Sequence, residues 1–140
     1  MKILNGALRG EHQIVAGYQI GAERGLLQKS LTDMAVQFHG HHKAHVDLLM
    51  NSVKHLGGTP ESAPQKFDFP VDQMKSATDV LRFFAALEQS AVSAYLKAVP
   101  AFDNSDLAKA AASILGTDAM HWAVLRQALG DNPVPAAFVG

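Results

Sequence analysis

The sequence predicts an all-α protein of four helices, arranged as two hairpins with one long crossover between the second and third helices. Three observations predict it. Four stretches carry apolar residues at helical spacing and none reads as a convincing strand; one proline- and glycine-rich connection is far longer than the other two; and an internal repeat sets the two halves of the chain in register. At 140 residues, with 48% hydrophobic and 18% charged side chains, the chain is long enough for one domain with a real core.

Residues 3–28 read as the first helix, with Leu4, Leu8, Glu11, Ile14, Val15, Tyr18, Ala22 and Leu26 along one face. Gly6, Gly10, Gly17, Gly21 and Gly25 each cost roughly 1 kcal/mol relative to alanine in a helix interior, so they either weaken this helix locally or mark close helix–helix approach. Ser30 with Asp33 signals the N-cap of a second helix over 31–56, which Gly57-Gly58 closes. Residues 57–75 contain Gly-Gly-Thr-Pro, Ser-Ala-Pro and Phe-Asp-Phe-Pro and cannot continue a helix. Ser76-Ala-Thr-Asp79 opens a third helix over 76–99 that stops before Pro100. Asp103-Asn-Ser-Asp106 opens a fourth over 104–129, with Gly130 and Pro133 beyond it, and the short apolar tail 130–140 is expected to pack against the rest.

Connection lengths choose the topology. A couple of residues join helices one and two and about four join helices three and four, so each pair should be an antiparallel hairpin. Helices of about 25 residues span roughly 37 Å. The segment 57–75, at ~3.3 Å per residue, covers that length with slack. It reads as a crossover running the length of a bundle, which makes helices two and three parallel.

The repeat locates the chemistry. Phe38–Leu49 holds four of the seven histidines: His39, His41, His42 and His45. On helical spacing, His41 or His42 together with His45 shares a stripe with Phe38, Leu48 and Leu49. Shifted by 76 positions, Gly40 falls on Gly116, His42 on Asp118, His45 on His121 and Leu49 on Leu125, while Leu31 and Ala35 fall on Leu107 and Ala111. Shifted by 77, Glu11, Val15 and Tyr18 fall on Glu88, Val92 and Tyr95. At ~1.5 Å per residue, Glu11, His42, His45, Glu88, Asp118 and His121 come out at comparable heights and are expected in one layer of the core. Unpaired carboxylates there would cost several kcal/mol each, a penalty that a bound cation or a closed hydrogen-bond network removes.

Glu11-His-Gln, His41-His-Lys-Ala-His45, Leu87-Glu-Gln-Ser-Ala-Val and Asp118-Ala-Met-His-Trp, one on each helix, resemble the ferritin-like superfamily of carboxylate bundles, and within it the small bacterial ferritin-like domain proteins. The resemblance covers about residues 1–129. It implies the ferritin-like four-helix fold and a site for one or two transition-metal ions, Fe above all, with Mn or Zn as alternatives. The superfamily places a Glu on helices one and three and Glu-x-x-His on helices two and four. Glu11, Glu88, His45 and His121 match that pattern, while His42 stands in place of a bridging Glu and Asp118 is one methylene short of the other. Tyr18, Tyr95, His12 and His41 are candidates to stand behind the ligands, with His39 and His55 expected at the solvent face.

Two function classes follow. One is a metal-binding protein for oxidant or metal handling; the other is a non-catalytic ferritin-like scaffold with a structural or vestigial site, acting through dimer or partner contacts. The formal charge of −1 and scattered Lys and Arg supply no phosphate-tracking stripe, so no nucleic-acid partner is expected. The absence of cysteine excludes disulfides and thiolate ligation. Apolar runs fall short of the ~20 residues needed to span a bilayer. Met1-Lys-Ile-Leu enters an amphipathic pattern without an apolar leader, so a cytoplasmic location is expected. The tail Val134-Pro-Ala-Ala-Phe-Val139 and the aromatics Trp122, Phe83 and Phe84 point to a homodimer.

Overall fold

Gly25 ends the first helix. The computed structural model describes residues 1–140, and in it α1 spans Lys2–Glu23, stopping short of the expected residue 28. Gly25 takes φ +69°, a conformation that residues with a Cβ avoid, and its N–H donates to Ala22 O at 3.3 Å. The apolar spacing that continues to Leu26 reflects packing: Leu26 and Leu27 are half-buried in the turn. The glycine decides where the helix stops. Gly17 and Gly21 are buried on the α1 face, whereas a Cβ at Gly10 would meet nothing within 4 Å, so close approach accounts for neither Gly10 nor Gly6, whose one neighbour is the tip of Arg9.

α2 spans Lys29–His55 and has no side-chain N-cap. Gln28 occupies the cap position, two residues ahead of the expected Ser30, and Asp33 instead pairs with Lys29 one turn back on the exposed face (Nζ to Oδ2 2.7 Å). At its other end Gly58 N–H donates to Val53 O and Gly57 N–H to Lys54 O, both at 2.9 Å. Gly57, at φ +78°, makes this double closure possible.

The chain divides into two compact units, Met1–Val80 and Leu81–Gly140. In the first, α1 and α2 form an antiparallel hairpin, and Gly58, just past α2, lies against Met1 at the start of α1. The segment 57–75 then travels back along α1. Asn5 holds it with two bonds, Nδ2 donating to Thr59 O at 3.2 Å and Oδ1 accepting from Glu61 N at 3.1 Å. Arg9 pairs with the Glu61 carboxylate, and His12 Nε2 lies 3.1 Å from Glu61 O. Fifteen or so residues of chain later, Arg24 NH2 donates to Met74 O at 3.4 Å, with the Met74 side chain buried. The crossover thus runs from the first turn of α1 to just past its last.

The second unit is a hairpin of α3, whose first turn the unit boundary crosses (Ala77–Ala98), and α4 (Ser105–Ala128). Both expected caps form. Ser76 Oγ accepts from Asp79 N at 3.2 Å while Asp79 Oδ2 accepts from Lys75 N at 3.0 Å. Asn104 Oδ1 accepts from Asp106 N and Leu107 N, an arrangement of about 1 kcal/mol of helix stability. After α4 the tail folds back on its own unit: Arg126 Nε donates to Asn132 O at 2.7 Å, and the Arg126 guanidinium lies over Trp122, 5.7 Å from the ring centroid.

The 76-residue repeat survives as a burial pattern. Ala35, Phe38, His42 and Leu49 are buried on α2, and Ala111, Ile114, Asp118 and Leu125 are buried on α4. No helix is long and apolar enough to cross a membrane.

Candidate metal centre

Every buried polar or charged side chain in the protein lies at one of the positions marked by the repeat: Glu11, His42, Glu88, Asp118 and His121, each between 0 and 3% exposed. Glu11 and His42 lie on the first hairpin, with His45 beside them at 12% side-chain exposure, and Glu88, Asp118 and His121 lie on the second.

In the first hairpin, α1 presents Glu11 on the face that carries Leu4, Leu8, Ile14 and Tyr18. Facing it, α2 presents His42 and His45, three residues apart and therefore on one side of the helix. His42 Nδ1 donates to Glu11 Oε2 at 2.7 Å, and His45 Nδ1 lies 3.5 Å from the same oxygen. Tyr18, about two turns beyond Glu11, stacks its ring on the His42 imidazole (centroids 5.7 Å apart, 24° between planes), and His42 and His45 meet edge to face at 5.2 Å. Burial alone would push the Glu11 carboxyl upward; the hydrogen bonds and positive charge of His42 and His45 outweigh it and hold Glu11 at about 2.

In the second hairpin, His121 Nδ1 lies 3.1 Å from Glu88 Oε1 on α3 and 3.9 Å from Asp118 Oδ1 one turn back on its own helix. Tyr95 is buried on α3 at the position the repeat equates with Tyr18.

The histidine-rich stretch sorts itself by face. His42, not His41, points into the core; His41 is half-buried and stacks on Phe38 (6.3 Å, 26°). His39 is also half-buried, and burial together with the positive charges of Lys43 and His42 lowers its pKa. His55 is exposed. His12, a candidate to stand behind the ligands, instead reaches the crossover at Glu61 O, because it follows Glu11 by one residue and so faces about 100° away from it. That crossover clamp of Asn5, Arg9, His12 and Glu61 was not foreseen: in sequence it is four ordinary surface residues.

In each hairpin the donor atoms lie close together. One donor atom from each of Glu11, His42 and His45 lies within 4.8 Å of the others, and the same holds for Glu88, Asp118 and His121. Ligands about 2.0–2.2 Å from one ion sit roughly 3–3.5 Å apart. The nitrogen–oxygen separations of 2.7, 3.1, 3.5 and 3.9 Å bracket that span. The nitrogen and oxygen donors, buried and converging with the same ring nitrogen, Nδ1, toward a carboxylate, fit a divalent transition metal.

A family model described as ferritin-like domain matches residues 1–131. Among solved structures, a conserved hypothetical protein from Mycobacterium tuberculosis superposes with a TM-score of 0.85 at 24% identity, over 98% of this chain and 94% of that one. A protein described as a ferritin-like diiron-carboxylate protein, from Bacillus anthracis, superposes with a TM-score of 0.78 at 19% identity, over 91% of this chain and 93% of that one. The sequence matches none of the curated proteins with which it was compared.

Proposed function

Because the chain belongs to the ferritin-like domain family, we propose that it is a metal-binding protein whose buried triads, Glu11–His42–His45 and Glu88–Asp118–His121, hold transition-metal ions for oxidant or metal handling. The observation that carries this reading is the burial pattern: the protein takes carboxylates and imidazoles out of water at these two places and nowhere else. Such burial is expensive unless the charges are compensated.

The residues divide the work. Glu11 stays ionised because His42 and His45 face it, and it presents an anionic oxygen at the floor of its triad. Tyr18 fixes the plane of the His42 ring by stacking, which leaves Nδ1 aimed at Glu11 before any ion arrives. Glu88 and Asp118 bring two carboxylates to His121. A bound iron or manganese would supply redox chemistry toward dioxygen or peroxide, and zinc would occupy the same donors without it. The likeness to a protein described as diiron-carboxylate favours iron.

The test is metal titration of chelator-stripped protein with Fe²⁺, Mn²⁺ and Zn²⁺ while following the melting temperature and the bound metal. An ion that binds only the folded chain adds about 2.7 kcal/mol at a free concentration a hundredfold above Kd. Glu11→Ala and His121→Ala should each reduce both bound metal and this stabilisation. A melting temperature indifferent to all three ions, with no metal retained, would favour a scaffold whose buried cluster is a closed hydrogen-bond network.

A further inference from the structure

Past α4 the chain turns back at Gly130 (φ +80°) and runs lengthwise along its own hairpin. Arg126 Nε holds Asn132 O beside the last turn of α4, whereas Gly140 lies against Leu96, near the end of α3 and so at the opposite end of the hairpin. The strap does not close on the helix. Between residues 133–140 and the α4 positions Ala119, Trp122, Ala123 and Arg126 lies a cleft of about 290 Å³. Those four positions fall at i, i+3, i+4 and i+7 and form one stripe of the helix. Pro133 and Pro135 stiffen the strap, and Asn132 Oδ1, accepting from Val134 N at 3.0 Å, fixes its first turn. The lining is apolar with one exception. Arg126 is its sole charged side chain, and no aspartate or glutamate joins it. The guanidinium is held in two ways: Nε donates to Asn132 O at 2.7 Å, and the central carbon lies over Trp122, 5.7 Å from the ring centroid. Both partners are uncharged. The two terminal nitrogens remain as a fork that matches a carboxylate.

We propose that this cleft binds a small organic acid with an apolar body, a site separate from the metal-binding reading above. The apolar body lies between the strap and the α4 stripe, and the carboxylate pairs with Arg126. The volume sets the size of the ligand: it stands at the lower edge of the ~300–1,000 Å³ of small-molecule sites. That is room for a single ring or a medium-length acyl chain. Charge sets its sign, because an unopposed guanidinium among apolar side chains rewards an anionic head and nothing in the lining rewards a cationic one. Arg126 is already fixed by Trp122 and Asn132, so pairing costs little further ordering. Phe138, 91% exposed where it borders the cleft, supplies an aromatic face to cover the bound body.

Trp122 is the only tryptophan of the chain, so its fluorescence reports on the cleft directly. The experiment titrates the full chain with 4-phenylbutanoate and octanoate, and in parallel with the matching alcohols, which lack the charge. Each acid should change the emission saturably and bind at least about tenfold more tightly than its alcohol; the tighter acid tells an aryl from an acyl ligand. Arg126→Gln should erase the preference for acid over alcohol, and Arg126→Lys should restore most of it. Ala123→Phe fills the cleft while keeping the charge and should abolish the response to acids and alcohols alike. Helix content by circular dichroism checks each variant, so misfolding of one leaves the others to decide. Equal affinity for acids and alcohols, no saturable change, or an Ala123→Phe variant that binds like wild type overturns the proposal. A response to acids that disappears after chelation puts the carboxylate on a bound metal, which overturns the cleft and leaves the metal-binding reading standing. A response that weakens as the protein is concentrated means that a second copy occupies the cleft, and overturns it too.

Discussion

The two hairpins repeat one design and differ at its centre. In each, a glutamate from the leading helix meets the Nδ1 of a histidine on the returning helix: Glu11 with His42 at 2.7 Å, Glu88 with His121 at 3.1 Å. The partner is not the equivalent residue, however. The repeat equates His45 with His121 and His42 with Asp118, so the first glutamate faces two imidazoles where the second faces an imidazole and another acid. A single exchange of side chain, with the burial pattern around it unchanged, thus makes the two hairpins unlike at their centres.

The comparison is broken most severely by deleting its glutamates. Removing one partner of a buried hydrogen-bonded ionic pair costs about 3–5 kcal/mol. Glu11 has His42 at 2.7 Å and His45 at 3.5 Å, and Glu88 has His121 at 3.1 Å, so unfolding in urea without metal should show the larger loss for Glu11→Ala. Equal losses would mean that His45, at 3.5 Å, adds nothing to the pair.

Acid sharpens the same contrast. Glu11 sits at about 2 against an ordinary 4.5. A depressed carboxyl contributes stability that is fully present above pH 4.5 and is lost as the pH falls toward 2, on the order of 3 kcal/mol for a shift of this size. Metal-free wild type should therefore lose stability across that window relative to Glu11→Gln, which has no carboxyl to protonate. Parallel pH profiles for the two would remove the charge from this account of Glu11.

The hairpins also differ at the start of their returning helices. α4 is capped by Asn104 and α2 has no side-chain cap. Asn104→Ala should cost about 1 kcal/mol, and Gln28→Asp should add somewhat less than that to α2. Thermal unfolding of both variants measures the difference directly. The smallest effect on stability belongs to the tail. Phe138 is 91% exposed beside a cleft of about 290 Å³ formed with Trp122, Ala123 and Arg126. Phe138→Ser should leave the melting temperature nearly unchanged and reduce the homodimerisation expected of wild type, as read by light scattering at high concentration.

Particular residues show what the sequence made legible. The four helices were readable because Leu4, Leu8, Ile14 and Tyr18, and their counterparts on the other helices, recur at the helical period. The triads were readable because histidines and acids fell on that apolar stripe. Choosing His42 over His41 needed the repeat, since only His42 maps onto a carboxylate. The end of α1 was not readable from periodicity: Leu26 extends the stripe, and the backbone at Gly25 overrules it. Ser30 looked like a cap, but the helix begins before it. The crossover clamp escaped because Asn5, Arg9, His12 and Glu61 act through backbone oxygens and one ion pair across more than forty positions of chain, and no local pattern records such contacts.

That clamp has a consequence for how the chain tolerates change in length. Residues 62–66, between the Glu61 anchor and the Met74 anchor, are exposed. Closing a loop twice as long costs only about 0.6 kcal/mol more. Insertions there would leave Asn5 and Arg24 holding the same two ends of the strap. This stretch, and not either tight hairpin turn, is where a larger relative could graft a new module without disturbing the buried triads.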